Sequence, residues 1–196
     1  MSTKTQNIAE LLGLAEDAVP GKFSYLNDSV YSLTFFDSEN TKSQIFEKEP
    51  QLFVSDVVIA SLNKDITEVF GSLHITEKMC EGHFEFFKMV PLALLGQAIA
   101  QFGEFLVIQV NQNNGSERKI PLVIETQTIK AVSKKGGAHK FITPGSDLLV
   151  VVKSEGGKFQ VNYVSAEVYL DGELMVQMDK IIYVSVEKSY LTGGSK

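Results

Sequence analysis

The sequence predicts an α+β fold in which a curved antiparallel sheet wraps around one long central helix. Residues 91–108 form the one long stretch with helical periodicity, and they are apolar on nearly every face, so this helix must be buried on most sides. The segments that follow it are β-rich and bounded by turn residues. A single sheet around such a helix has exposed edges, and edge-to-edge pairing of two subunits covers them. We therefore expect a dimer.

Six segments are predicted to form the sheet around this helix. Pro91 suits the first turn of the helix, where its missing N–H costs nothing. The pair Asp171-Gly172 is typical of a two-residue hairpin turn, and Glu155-Gly156-Gly157 is predicted to join two further strands. The predicted strands lie at 51–61 and 66–76 before the helix, and at 120–134, 147–154, 158–170 and 173–186 after it.

The first part of the chain is predicted to be an extension of this domain. Residues 5–16 have the spacing of a short amphipathic helix, and 22–36 indicate two strands around a turn. The polar segment 37–44 then suggests a boundary. The chain is therefore divided into an N-terminal extension (1–45), a sheet-and-helix domain (46–188) and a flexible tail (189–196).

The bulk composition excludes several classes of function. The net charge is −6 and Arg118 is the single arginine, which argues against nucleic acid as a main partner. Cys80 is the single cysteine, so an intrachain disulfide is impossible and a reducing compartment is expected. The N-terminus lacks the apolar core of a secretory signal, and no uninterrupted run of about 18 apolar residues is present. These features predict a soluble cytoplasmic protein.

Polar residues in and before the helix raise the question of a site. His83 falls between a predicted strand and the helix, while Gln97 and Gln101 lie one helical turn apart. Buried amides need hydrogen-bond partners, so two of them on an apolar helix suggest a polar pocket. Spacing alone leaves a second interpretation open, in which His83 caps the helix and the glutamines bind nearby backbone.

The stretch GHFEFFKMVPLALLGQAIAQ, residues 82–101, resembles the motif GHFPGxPxxPGVLxxEAxAQ without gaps. This motif is typical of the β-hydroxyacyl-acyl carrier protein dehydratases of the FabZ and FabA type, which have the hotdog fold. Asp56 and Glu77 upstream, and Pro144 and Gly145 downstream, match further family positions. The resemblance covers about residues 50–187.

This resemblance implies a hotdog dimer with acyl-thioester sites at the subunit interface. It implies that His83 moves the C2 proton of the acyl chain and that the backbone amide of Leu92 polarises the thioester carbonyl, helped by the helix dipole. The catalytic acid comes from the partner's helix in this family, and its position here is Gln97. The substrate is carried on the phosphopantetheine of acyl carrier protein or on CoA, with no other cofactor and no metal.

The sequence departs from the family at two places. Gln97 can form hydrogen bonds but cannot exchange a proton near neutral pH, and loss of general acid help typically costs about 10²–10⁴ in rate. Glu85 and Glu104 are the nearest acids, and neither matches the family position. The loop before the helix has also lost its glycines and two prolines, so its bulky residues either pack the interface or line or block the acyl tunnel. The predicted pocket residues are Phe84, Phe86, Phe87, Met89, Pro91, Gln101, Pro144 and Gly145.

Two smaller patterns bear on ligand or partner binding. Lys130, Lys134, Lys135 and Lys140 cluster in an otherwise acidic chain, as either a solvated turn or a docking patch for an acidic carrier protein. A metal site at His83 and its neighbours upstream is not expected, because alternation along a strand points His83 away from His74 and Cys80, and zinc needs three or four converging ligands.

Three functions remain open from the sequence. The first is a 3-hydroxyacyl-thioester dehydratase with altered or reduced catalysis. The second is a non-catalytic acyl-thioester binder or an accessory subunit of an active dehydratase. The third is a hotdog thioesterase, ranked last because such enzymes usually keep a carboxylate on the helix.

Overall fold

The computed structural model describes residues 13, 26, 30–45, 53–54, 56–82, 86–116, 119–132 and 141–191. Within this part of the chain, seven antiparallel strands form one sheet, accompanied by a long helix and three short helical segments. The elements are β1 (Tyr31–Phe36), α1 (Ser38–Gln44), β2 (Val57–Leu62), β3 (Asp65–His74), a 3₁₀ turn (Glu77–Cys80), α2 (Leu92–Asn113), β4 (Lys119–Ala131), β5 (Asp147–Lys158), β6 (Val161–Leu170), β7 (Glu173–Glu187) and α3 (Lys188–Leu191).

The sheet wraps around α2, as the sequence predicts. Phe102, Phe105 and Leu106 of this helix are completely buried and pack against alternate residues of the strands, such as Val57 and Val150. Period-two alternation gives each strand one face toward the helix. The fold class is therefore confirmed for the described residues.

The strand order is β1-β2-β3-β5-β6-β7-β4, so β4 crosses the sheet to its far edge after α2. It pairs antiparallel with β7, from Lys119 opposite Glu187 to Ala131 opposite Val176. Leu122, Val123 and Ile124 of β4 are exposed. An exposed apolar edge strand is a surface to which another strand can add.

The outer face of the sheet carries a second apolar cluster. Val58, Phe70 and Val151 point away from α2 and are nonetheless completely buried, and Leu26 packs with them. The N-terminal extension therefore contributes at least Leu26 to the cover of this face. The expected helix at 5–16 lies outside the described residues, apart from Gly13. Of the hairpin expected at 22–36, the structure describes Leu26 and the residues from Val30 onward.

The described end of the extension is continuous with the domain. β1 is the second strand of the expected hairpin, and it pairs with β2 from Tyr31 opposite Leu62 to Phe36 opposite Val57. The Phe36 ring also meets the Phe105 ring edge-to-face at 5.4 Å. The sheet and core therefore run across the predicted boundary near residue 45.

Segment 37–44, expected to be turn-rich, is instead the helix α1. The Asp37 side chain accepts a hydrogen bond from the Asn40 amide at 2.8 Å, which is the geometry of an N-cap. The expected flexible tail starts as the helix α3, and residues 192–196 lie outside the described part.

Two strand predictions needed correction at their ends. The predicted strand 51–61 begins only at Val57, and the Phe53 amide donates instead to Gln101 Oε1 on α2 at 2.8 Å. The expected connection at Glu155-Gly156-Gly157 lies inside β5, where Gly156 has φ 85° and the pairing register shifts. The true turn follows at residues 159–160, whereas the hairpin predicted at Asp171-Gly172 is confirmed, with φ 45° and 80°.

Candidate functional site

The carboxyl end of β3, the loop before α2 and the first turn of α2 form the candidate site. His83, Phe84 and Glu85 lie outside the described residues, so the position of His83 stays a sequence prediction. Just before them, Cys80 is buried, and this burial raises the pKa of its thiol. After them, the first described residue is Phe86, whose side chain extends into solvent.

The start of α2 presents backbone amides that the helix itself leaves without a partner. The first hydrogen bond of the helix runs from the Leu95 amide to the Pro91 carbonyl at 3.0 Å. The amides of Leu92, Ala93 and Leu94 therefore have no partner within the helix. They lie at the positive end of the helix dipole, where a developing negative charge is stabilised.

An apolar cavity of about 200 Å³ lies beside this helix end. Its rim includes Leu92 and Phe141, which are 40% and 47% exposed. Its floor includes Leu95 and Met175, which are 1% and 9% exposed. Met89 and Val132 also line it. The arrangement can hold an apolar chain whose polar end lies near the helix amides.

Gln97 and Gln101 do not share a pocket. Gln101 is buried, and its side-chain oxygen accepts from the Phe53 amide. Gln97 is exposed on the helix surface. The expected polar pocket holding both amides is therefore wrong, because the segment at 53–54 covers Gln101 and does not reach one turn further back. Gln97 is left available to another molecule.

The bulky residues of the loop before α2 lie in different environments. The Phe87 ring packs edge-to-face on Phe141 at 4.9 Å, beside the mouth of the cavity. Met89 lines the cavity itself. Phe86 is 92% exposed. Pro91 is half-buried as the N-cap residue of α2.

Pro144 and Gly145 form a turn that supports the site from behind. Gly145 has φ 84°, and its amide donates to the Ile75 carbonyl at 2.8 Å. The neighbouring Ile142 carbonyl accepts from the Val90 amide at 2.9 Å. The turn therefore connects the end of β3 to the residues that precede α2, and it does not itself line the cavity described above.

The alternative acid on the helix lies elsewhere. Glu104 is buried in the core, seven residues beyond Gln97 and about 10 Å further along the helix axis. It does not lie at the position that the resemblance gives to the catalytic acid. Glu85 is outside the described residues.

Of the four clustered lysines, Lys130 is described. Its ammonium group donates to Asp179 Oδ2 at 2.9 Å on the surface of the sheet. This contact holds the pKa of the Asp179 carboxyl below its usual value. Lys134, Lys135 and Lys140 lie outside the described residues, so a docking patch remains a prediction.

His74 also has a partner of its own. Its Nδ1 lies 2.7 Å from Asp147 Oδ1, across the β3–β5 pairing at the sheet surface. Glu77, which matches a family position, is paired with Lys88 at the surface, and this pairing raises the pKa of Lys88.

The lining residues that sequence reasoning missed come from four places: β7, the segment at 141–142, the end of β4 with Val132, and the start of α2 with Val90 and Leu95. Met175 reaches the cavity because the Val132 amide donates to its carbonyl at 2.8 Å, which continues the β4–β7 pairing. Phe141 and Ile142 precede the Pro144-Gly145 turn closely enough that the motif could have pointed to them. Met175 had no comparable signal in the sequence.

The architecture is that of the hotdog fold. The dehydratase heterocomplex ApeI:P from Xenorhabdus doucetiae superposes with a TM-score of 0.59 at 10% identity, covering 78% of this chain and 95% of that one. A thioesterase from Haemophilus influenzae gives 0.55 at 7% identity, with coverages of 78% and 92%. A hot-dog-like protein from Thermanaerovibrio acidaminovorans gives 0.53 at 8% identity, with coverages of 65% and 86%. At these identities the likeness concerns the fold alone.

The sequence similarity is more specific. No protein-family model matches the chain. The 3-hydroxyacyl-[acyl-carrier-protein] dehydratase FabZ of Staphylococcus haemolyticus is 28% identical over 144 residues, which is 72% of this chain and 90% of that protein. FabZ of Staphylococcus epidermidis is 27% identical over the same length. The chain is thus a hotdog-fold protein of FabZ-like sequence.

Proposed function

We propose that the chain binds 3-hydroxyacyl thioesters and acts as a FabZ-like dehydratase whose acid function is weakened. The observation that carries this proposal is the apolar cavity beside the first amides of α2, which have no partner within the helix. An acyl chain in the cavity brings its thioester carbonyl close to these amides. The substrate would be carried on acyl carrier protein or CoA in the cytoplasm, and no resident cofactor is needed.

The helix end supplies electrostatic help in this proposal. Removal of the C2 proton places negative charge on the thioester oxygen, and backbone amides directed at that oxygen stabilise the transition state. The Leu92 amide is the donor that the resemblance assigns. The three amides need no reorganisation, because α2 is held between the Val90–Ile142 contact and the core.

His83 and Gln97 divide the remaining chemistry unequally. His83 takes the C2 proton, the C2–H electron pair forms the new double bond, and the C3–O bond breaks with its pair on oxygen. Gln97 can hold the departing hydroxide through its amide N–H but cannot protonate it. Solvent must then supply that proton, and His83 returns its own to solvent. Dehydration is expected to be slow for this reason.

A second copy of the chain would complete the site. Gln97 is exposed, and the apolar edge of β4 is exposed on the same subunit. Pairing of two β4 edges would bury these edges and Gln97. It would also bring each Gln97 toward the loop that precedes α2 in the other subunit. We therefore propose a homodimer as the working form.

The test is restoration of the acid. Gln97→Glu should raise the rate of enoyl-thioester formation by about 10²–10⁴, measured by mass spectrometry as loss of water from 3-hydroxyacyl-carrier protein. His83→Ala should abolish it. Gln112→Glu is the matched control, because it adds the same charge to an exposed position of the same helix.

Two results would contradict the proposal. One is a Gln97→Glu variant that folds, binds substrate and remains as slow as the parent. The other is a His83→Ala variant with the parent's activity. If Gln112→Glu were equally activating, the effect would come from charge and not from the acid position.

The second candidate function is an accessory, non-catalytic subunit. Gln97 itself favours it, since a protein that only binds acyl thioesters needs no acid. The solved dehydratase from Xenorhabdus doucetiae is a heterocomplex, and a similar pairing here would lend His83 while the partner lends an acid. Binding without turnover, together with stimulation of a co-purified dehydratase, would favour this role. The thioesterase ranks last, and free thiol release that depends on Gln97 would be its signature.

A further inference from the structure

We propose that Met175 sets the upper length of the acyl chain and that the cavity accepts roughly six to eight carbon atoms. This inference rests on the proposed function, in which the cavity at the start of α2 holds the chain. It adds a specificity-determining residue that no sequence motif indicates.

The cavity has an entrance and an end. Leu92, Phe141 and Val132 are all at least 39% exposed and form the entrance. Leu95 and Met175 are nearly or completely buried and form the end. A chain whose thioester lies at the helix amides must enter past the exposed residues and stop at the buried ones.

The volume of the cavity limits the length of the acyl chain that it can hold. An apolar cavity of about 150 Å³ holds one benzene molecule. Scaling by carbon count, the cavity of about 200 Å³ holds roughly eight carbons when full and fewer when packed loosely. Longer chains would have to displace the residues at its end.

Of the two residues at the end of the cavity, Met175 is the one whose side chain can be changed without altering the backbone around the cavity. Its backbone is fixed by the hydrogen bond from the Val132 amide and by the Asp171-Gly172 hairpin that starts β7. Its side chain is unbranched and adaptable, as methionine typically is at irregular apolar surfaces. Both residues belong to the main core cluster, but Leu95 is part of the central helix around which the sheet wraps.

The experiment measures binding, so that its result does not depend on turnover. The full-length protein is titrated calorimetrically with 3-hydroxyacyl-CoA thioesters from butyryl to myristoyl. Affinity should rise about fourfold for each added methylene until the cavity is full, then level off or fall beyond octanoyl. Met175→Ala should move this plateau to longer chains by about two carbons, and Met175→Phe should move it to shorter ones.

Met178→Ala is the matched control, because Met178 lies on the same strand, is buried in the core and does not line this cavity. It should leave the plateau in place. If Met175→Ala does not fold, Met175→Phe still tests the inference in the opposite direction. A plateau that no Met175 variant moves, or that Met178→Ala moves equally, overturns the role of Met175. Absence of binding at every length would instead overturn the proposed function itself.

Discussion

The two ends of α2 border cavities of nearly equal volume and opposite character. The cavity at the N-terminal end measures about 200 Å³ and is lined almost entirely by apolar side chains. The cavity at the C-terminal end measures about 220 Å³ and is lined mostly by amides, hydroxyls and Lys119, with Val110, Phe159 and Val161 as its apolar side chains. There Asn111 is buried, and its amide donates to Ser185 Oγ at 2.9 Å. A polar cavity of this size retains water, whereas an apolar one receives an apolar ligand.

The comparison shows that cavity volume alone does not identify a site. At the N-terminal end the first helix amides have no partner within the helix, and Leu92, Ala93 and Gln97 are exposed. At the C-terminal end, the Asn111 carbonyl accepts from the Ser116 amide at 2.7 Å, and Gln109 bonds to Gln44. The C-terminal end is therefore fastened to the rest of the fold, whereas the N-terminal end leaves side chains exposed.

Two glycines on α2 provide the largest expected contrast. A methyl group at Gly103 would overlap the hydroxyl of Tyr183, which is held by donation to the Ala100 carbonyl at 2.6 Å. Gly103→Ala should lower the free energy of unfolding by about 2–3 kcal/mol. A methyl group at Gly96 would lie 3.1 Å from the tip of Ile129, which can move.

Gly96→Ala should therefore stay within about 1 kcal/mol of the parent, helped by the better helix propensity of alanine. Urea unfolding followed by circular dichroism measures both variants. Equal losses at the two glycines would show that both halves of the helix are packed with the same tolerance.

The buried amide at the C-terminal end has a smaller expected effect. Asn111→Ala leaves the Ser185 hydroxyl without its best donor, and we expect a loss of about 1–2 kcal/mol in the free energy of unfolding. Asn113→Ala is the control, since its side chain donates to the Lys64 carbonyl from an exposed position and should cost less than about 0.5 kcal/mol. Chemical denaturation compares the two. An Asn111→Ala variant as stable as Asn113→Ala would mean that this end is not fastened by its polar contacts.

The smallest expected effect is electrostatic and concerns an ion pair on the surface of the sheet. Lys130 holds the pKa of Asp179 below its usual value, so the stabilisation from this pair is present above about pH 3.9. It is lost as the pH falls through the lowered pKa. Lys130→Gln should raise the pKa of Asp179 toward its usual value, as followed by carboxyl carbon NMR.

Lys158→Gln serves as the control, because Lys158 lies over the Phe159 ring and not beside Asp179. An Asp179 titration that is identical in the parent and in Lys130→Gln would show that the pair is not formed in solution.

Sequence patterns anticipated the elements that depend on nearby residues. The apolar run of α2 predicted the central helix, and Asp171-Gly172 predicted a hairpin. The motif at 82–101 predicted a FabZ-like hotdog protein, and the comparisons support that likeness. The failures occurred where a distant contact replaced a local preference, as when Phe53 bonded to Gln101 and left its predicted strand. Segment 37–44 is a different failure, because the capping contact of Asp37 is local and could have been recognised.

The candidate site divides in the same way. Gln97 and Leu92 follow from the motif, while the role of His83, which lies outside the described residues, stays a prediction. Spacing could not predict that Gln97 is exposed and Gln101 is buried. Residues four apart share a helix face, so their spacing predicts the same environment for both. Met175 could not be predicted at all, because it reaches the cavity through the pairing of β7 with β4.

By itself, the sequence determined the central helix, most of the strands and the family likeness of the site, because these depend on periodicity and spacing within a few tens of residues. The tertiary structure alone decided that β4 crosses to the far edge of the sheet, that Gln97 is exposed while Gln101 is buried, and that Met175 lies at the end of an apolar cavity. These features depend on which strands pair and on what covers each side chain, and such contacts join residues far apart in the chain.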